Sequence, residues 1–288
     1  MPGTLFVVAT PIGNLEDLSF RALRTLREVD LIAAEDTRRT SKLLAHYEIR
    51  KSMVSLHEHN EHREAPRLAA RLERGESIAL VTDAGTPGIS DPGAHLVRLA
   101  RERQVPVSPI PGPSAVMAAL SVSGFPADRF AFLGFPPRSG SARRDWLARA
   151  KAESSVLVIF EAPHRIRQTL SDLVEIFGER PIQIHRELSK INEELVIYTN
   201  KEPAQKVKEL GEFVVVVGEA AEANDRHLDD KLLAKANLMF GCMTTSDAFS
   251  STEAVALAAK ALELDEQVVR KAVKKHKIAE NQRRQSLP

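Results

Sequence analysis

Short apolar runs separated by helically spaced ones dominate the first 125 residues. Leu5 to Ala9, Leu31 to Ala34, Met53 to Leu56, Ile78 to Val81 and Val105 to Ile110 are apolar-rich runs of strand length. Between them, Leu23, Leu26 and Val29 recur at helical spacing. So do Ala65, Leu68, Ala69 and Leu72, and Gly75 stands where that helix should stop. Leu96, Val97 and Leu99 begin a third helix, and an Ala/Met/Leu-rich segment after Ser114 makes another. Near-continuous apolar strands alternating with helices predict βαβ units around a parallel sheet. Right-handed crossovers then bring the loops at 10–15, 83–93 and 111–115 to one edge of that sheet.

The pattern changes after Gly124-Phe125-Pro126, which reads as a domain boundary. Phe130, Phe132 and Phe135 alternate as in a strand, and Val156 to Phe160 is a buried one. A helix follows, with Ile166, Leu170, Leu173, Val174 and Phe177 on one face and a stop at Gly178. Ile182 to His185, Leu195 to Tyr198 and Phe213 to Val217 come next, with one short helical stretch among them, which predicts a mixed sheet. From Ala221 helix formers take over. Ser250 with Glu253 spells a capping box, and Asp265 can cap a last helix whose end is basic (Lys271, Lys274, Lys275, Lys277, Arg283, Arg284). The fold class is therefore α/β: a parallel-sheet domain over 1–123, a mixed-sheet domain over 124–220 and a helical extension over 221–288.

Composition narrows the classes of function. With 43% hydrophobic residues among 288, a sizeable core is assured. The net charge of +1 removes any global field for nucleic acid, so RNA affinity must come from local patches. One such patch is the 138–151 segment, where Arg138, Arg143, Arg144, Arg149 and Lys151 face only Asp145. A single cysteine, Cys242, fits a reducing compartment. No apolar run reaches the roughly 18 residues of a membrane span, and the start lacks a basic, apolar leader. A soluble cytoplasmic protein is expected.

The chemistry concentrates in loops. Residues 83–93 hold three glycines, two prolines and two aspartates directly after a buried strand, a composition suited to close backbone approach to a ligand. No G-x-G-x-x-G or Walker-type motif occurs. His57, His59 and His62 lack a further ligand to complete a zinc set, so no metal is expected. What remains is a cleft of backbone and small residues, suited to a compact cofactor.

Six motifs in order carry a resemblance: Thr10-Pro-Ile-Gly-Asn-Leu15, Ala33-Ala-Glu-Asp-Thr-Arg38, Asp83 through Gly93, Pro111-Gly-Pro-Ser-Ala115, Glu161-Ala-Pro-His-Arg165 and Arg186-Glu-Leu-Ser-Lys190. Together they resemble the bacterial ribosomal small-subunit methyltransferase I family of the tetrapyrrole-methylase superfamily. The resemblance implies S-adenosylmethionine as donor, 2′-O-methylation of a cytidine in the decoding region of 16S rRNA, and a homodimer with the cofactor between two domains. Carried over by motif, cofactor contacts fall on Pro11, Ile12, Ala84, Gly85, Thr86, Ile89, Ser114, Ala115, Phe160 and Glu161. RNA contacts are expected from Arg38, Arg138, Arg143, Arg144, Arg165 and Arg186. Tyr198-Thr199-Asn200 departs from the Arg-Gly pair expected after Glu193-Glu194.

Methyl transfer from a sulfonium needs no metal, because the leaving group departs neutral, but a ribose hydroxyl must begin to lose its proton. Lys190 with Glu161 is the leading pair for that task, and Asp91 and Asp36 are the first-domain candidates. A lysine can act as base only if its pKa is lowered. A tetrapyrrole or diphthamide-precursor methylase, or a non-enzymatic RNA-binding assembly factor with a vestigial cleft, would share much of this pattern.

Overall fold

Strands form where apolar runs can be covered on both faces, and Leu31–Ala34 and Ile78–Val81 are buried at every position. The computed structural model describes residues 1–198, 204–220, 230–245, 249–262, 264 and 266–285. They fall into two compact units, 1–218 and 219–288.

The first unit begins with β1 (Leu5–Val8), α1 (Phe20–Glu28), β2 (Leu31–Ala34), α2 (Thr37–His46), β3 (Met53–Ser55) and α3 (Glu61–Glu73). It continues with β4 (Ile78–Val81), α4 (Ala94–Glu102), β5 (Val107–Ile110) and α5 (Ala115–Ser123). The strands pair in parallel in the order β3-β2-β4-β1-β5. On one face, Leu5, Ala33 and Leu80 pack under Leu68, Leu72 and Leu96 of α3 and α4; on the other, Val8, Ile32 and Val81 pack with Leu26 and Leu44 of α1 and α2. All five strands therefore point their carboxyl ends to one rim.

A second sheet follows, built from β6 (Phe130–Phe132), α6 (Gly140–Ala152), β7 (Val156–Glu161), α7 (Ile166–Phe177), β8 (Ile182–Arg186), β9 (Glu194–Tyr198) and β10 (Phe213–Val217). Its order is β6-β7-β10-β8-β9, parallel between β6 and β7 and antiparallel elsewhere. One face carries Leu157, Ile159, Ile184 and Val215 against Trp146, Leu170 and Leu173 of α6 and α7. The opposite face, Val156, Val158, Val214 and Val216, packs on Val116, Ala119 and Leu120 of α5. That contact seats the last helix of the first sheet on the second.

The second unit holds α8 (Asp230–Thr245), α9 (Ser251–Ala261) and α10 (Glu266–Gln285) around Ala236, Phe240, Val255, Ala258 and Val269. The expected capping box is present: Ser250 Oγ accepts from the Glu253 amide, and Glu253 Oε2 accepts from the Ser250 amide. Thr199, Asn200 and Asp265, and the side chains of Lys275, Lys277, Arg283 and Arg284, lie outside the described set. No helix among the described residues is long and apolar enough to cross a membrane.

Most of the basic segment 138–151 lies in α6, with Arg138 just before it, and its arginines divide. Arg138 and Arg144 are exposed, whereas Arg143 is buried. Its guanidinium donates to Asp172 Oδ2 at 2.8 Å, to the Pro137 carbonyl at 2.9 Å and to Thr169 Oγ1 at 3.1 Å. The expectation of RNA contact at Arg143 is corrected accordingly: its donors are consumed inside the fold. Arg143→Ala should leave Asp172 poorly paired and lower the unfolding free energy by roughly 2–4 kcal/mol in urea titration. Arg144→Ala should change it by less than about 0.5 kcal/mol.

Candidate active site

The rim is tied together by backbone. Thr10 and Gly85 exchange amide-to-carbonyl hydrogen bonds of 2.9 and 3.0 Å, and Thr10 Oγ1 donates to the Thr82 carbonyl at 3.0 Å. Gly85 adopts φ +84°, a conformation that disfavours side chains, and Ile12 lies 3.6 Å from where a Cβ would stand. The loop after β1 also presses on the turn after β8. A Cβ on Gly13 would lie 2.7 Å from Ser189 Oγ and 2.8 Å from the Leu188 carbonyl, so no larger residue fits without displacement.

These loops and the second sheet enclose a cavity of about 430 Å³. The structure brings Ile12, Ala84, Gly85, Thr86, Ile89, Ser114, Ala115, Phe160 and Glu161 to its lining. Pro11 is not among them; it lines a smaller cavity with Thr10, Leu15 and Lys42. The lining also includes residues that sequence reasoning missed: Glu35, Arg39, Asp83, Ser90, Phe135, His185, Leu188, Glu212, Phe213 and Val214. Two signals were available. Glu35 belongs to a quoted motif, and His185 shares a face with Gln183 in a strand buried from Ile182 to His185.

One wall is acidic. Glu35 Oε2 accepts from Thr82 Oγ1 at 2.5 Å and from the Asp83 amide at 3.1 Å, while Arg39 pairs with Asp83 at 3.3 Å. Burial, and then the charge of Glu35, push the Asp83 carboxyl above its usual range. The same two causes act more strongly on Asp91, whose pKa is pushed up to about 7; the Thr82 hydroxyl opposes the shift only in part. Asp91 therefore exchanges its proton near neutrality while facing the cavity.

The other catalytic candidates are placed differently. Asp36 caps α2 and is paired with Arg38 at 2.7 Å. That side-chain bond holds its carboxyl far below the usual range, and Asp36 does not line the cavity, so it is not suited to take a proton there. Lys190 donates to Glu187 at 2.8 Å and to Glu212 at 2.9 Å. Burial alone would lower its pKa, but these bonds outweigh burial and raise it. The condition for a lysine base is thus reversed, and the reading of Lys190 as base is corrected.

Glu161 is buried at the cavity wall. It accepts from Thr169 Oγ1 at 2.5 Å and pairs with Arg165 at 2.6 Å, and Arg165 donates onward to the Pro136 carbonyl at 2.9 Å. Arg186 is likewise turned inward, to Glu194 at 2.8 Å. Arg165 and Arg186 are therefore each engaged in an ion pair. Arg38, Arg138 and Arg144 remain exposed. Among the described residues, no group of three or more side chains is arranged to hold a metal ion.

The cavity suits a cationic nucleoside cofactor. It has an apolar floor, carboxylates on one wall, and on another a buried His185 Nε2 with no protein partner. Its volume lies within the range of small-molecule sites.

Comparison with known proteins places this geometry. Residues 4–204 match the family of tetrapyrrole (corrin/porphyrin) methylases. A ribosomal RNA small subunit methyltransferase I from Xylella fastidiosa is 52% identical over 231 residues, covering 77% of this chain and 83% of that protein. Its counterpart from Escherichia coli O157:H7 is 46% identical, covering 79% of this chain and 82% of that protein. Among solved structures, uroporphyrin-III C-methyltransferase from Thermus thermophilus, complexed with S-adenosylhomocysteine, superposes with a TM-score of 0.54. The two are 21% identical, with 77% of this chain and 100% of that one covered, a likeness of fold. The chain belongs to the tetrapyrrole methylase family and, within it, to the ribosomal RNA small subunit methyltransferase I proteins.

Proposed function

We propose that this protein transfers a methyl group from S-adenosylmethionine to the 2′-hydroxyl of a cytidine ribose in the decoding region of 16S rRNA, acting on small ribosomal subunits in the cytoplasm. Membership of the methyltransferase I proteins supports RNA as the substrate. The observation that carries the chemistry is Asp91, a cavity-lining carboxyl with a pKa near 7. The cofactor supplies an electrophilic methyl on a sulfonium when bound. The chain's own task is to position the hydroxyl and remove its proton. A carboxylate whose pKa lies close to the working pH is well matched to that task.

In this reading Asp91 accepts the hydroxyl proton. Burial and Glu35 hold its pKa high, so it is a stronger base than an ordinary aspartate. Glu161 is a positioning residue: fastened by Thr169 and Arg165, it holds the end of β7 against the cavity. Lys190 keeps Glu187 and Glu212 in place at the opposite edge. Arg38, Arg138 and Arg144 supply exposed cations for phosphate. Residues 1–123 and 124–220 act as two domains flanking the cofactor. Exposed Met117 and Val122 on α5, with Leu195 and Ile197 on β9, support assembly as a homodimer.

Mass mapping of ribose methylation tests the substrate directly. Small subunits from a strain deleted for this gene should gain one 2′-O-methylcytidine when incubated with protein and cofactor. No gain, or a methyl on a base, rejects the reaction.

Asp91→Asn should lower turnover on those particles by about 100-fold or more. The wild-type rate should rise with pH to a plateau above about 7, as Asp91 ionises. That limb should persist in Lys190→Ala and vanish in Asp91→Asn. A limb that survives Asp91→Asn assigns the base elsewhere. Thermal melts give a second readout with a definite sign. Folded Asp91 keeps its proton up to about 7, whereas the ordinary value is 3.8. Its contribution to stability is therefore full below that ordinary value and lost as pH rises through the folded one, and Asp91→Asn should remove this loss.

A further inference from the structure

His185 places in β8 an imidazole whose Nε2 the fold leaves unpaired. The strand register sets it opposite Val214 of β10 and Leu195 of β9. It is 1% exposed, lines the cavity, and leaves Nε2 buried without a protein partner. Gln183, two residues earlier on the same face, donates its amide to the Ser123 carbonyl at 2.7 Å and leaves its own Oε1 buried without a partner, but unlike His185 it does not line the cavity. A buried polar atom without a partner destabilises a fold, and replacing it with an apolar group would relieve that cost. The cavity beside it is where a partner can be supplied.

The surroundings select the kind of partner. Ala115, Val116, Leu188, Phe213 and Val214 line the same cavity and are apolar. Burial pushes the imidazole pKa down, so the ring is neutral and offers one donor and one acceptor. A sulfonium accepts no hydrogen bond, and a carboxylate would favour a charged ring. A purine edge presents ring-nitrogen acceptors and an amino donor, both uncharged. The carboxylates Glu35, Asp83 and Asp91 belong to the first-sheet loops, which suits the cationic end of the same ligand.

We propose that His185 hydrogen-bonds the nucleobase of the adenosyl cofactor, an assignment that rests on the cofactor reading above. His185 thereby selects an adenosyl ligand by its base edge, while the acidic wall receives the sulfonium.

Calorimetry with S-adenosylhomocysteine tests this without turnover. His185→Phe, which keeps an aromatic ring and removes both nitrogens, should bind about tenfold more weakly or worse. His185→Gln, which keeps a donor and an acceptor, should stay within about threefold of wild type. Without ligand, His185→Phe should melt no lower than wild type, because the unpaired nitrogen is gone. Analogues lacking N1, N3, N7 or the 6-amino group then locate the contact. At least one should lose affinity for wild type and lose none for His185→Phe, the signature of a shared interaction. Equal binding by wild type and His185→Phe overturns the proposal, as do analogue penalties that all persist in the variant. Failure of wild type to bind S-adenosylhomocysteine would instead reject the cofactor reading itself.

Discussion

The pair of backbone hydrogen bonds between Thr10 and Gly85 is the constraint on which the cavity depends. Two loops leave neighbouring strands at the same rim, and without a tie each would carry its own conformational entropy. The bridge joins them, and the Thr10 hydroxyl adds a third bond to the carbonyl of Thr82. Gly85 can take part because its backbone is left-handed, at φ +84°. Downstream of that bridge stand Thr86, Ile89, Ser90 and Asp91, so the position of the proposed base follows from it.

The second sheet secures its side of the cavity through side chains. Asp172, Arg143, Thr169, Glu161 and Arg165 form a continuous chain of hydrogen bonds from beneath α6 to the cavity wall. Each buried polar atom in that chain finds a partner, which is the condition for such a network to rigidify a fold rather than weaken it. The result is a fixed end to β7. Charge is thereby divided: cations on this side are consumed in pairs, whereas Glu35, Asp83 and Asp91 gather on the first-sheet side, where Arg39 pairs with Asp83.

That division explains why Asp91 and Lys190 exchange the parts expected of them. Both are partly buried near the cavity, but their neighbours differ. Burial disfavours the ionised form of both; at Asp91 the charge of Glu35 adds to that effect, whereas at Lys190 the bonds to Glu187 and Glu212 outweigh it. The same sign of neighbouring charge makes the acid a better proton acceptor and the amine a worse one.

Sequence alone did not show the helices Thr37–His46 and Gly140–Ala152, but it determined the strand order, most of the helices, the parallel first sheet, the mixed second sheet and the loops that meet at the rim. These follow from local periodicity, turn residues and the handedness of crossovers, all properties of neighbouring residues. Part of the cavity lining was legible too, through the glycine- and proline-rich motifs. Tertiary structure decided what each charged residue does. Arg143 looked like its exposed neighbour Arg144, and only the approach of Asp172 and Thr169 from α7 buries it. Lys190 and Asp36 looked as available as Asp91, yet their partners hold them in fixed charge states. His185 looked like one more strand residue until the fold buried it at the cavity between β10 and β9. A side chain's pKa and free hydrogen-bonding capacity are set by groups distant in the chain, which local pattern does not contain.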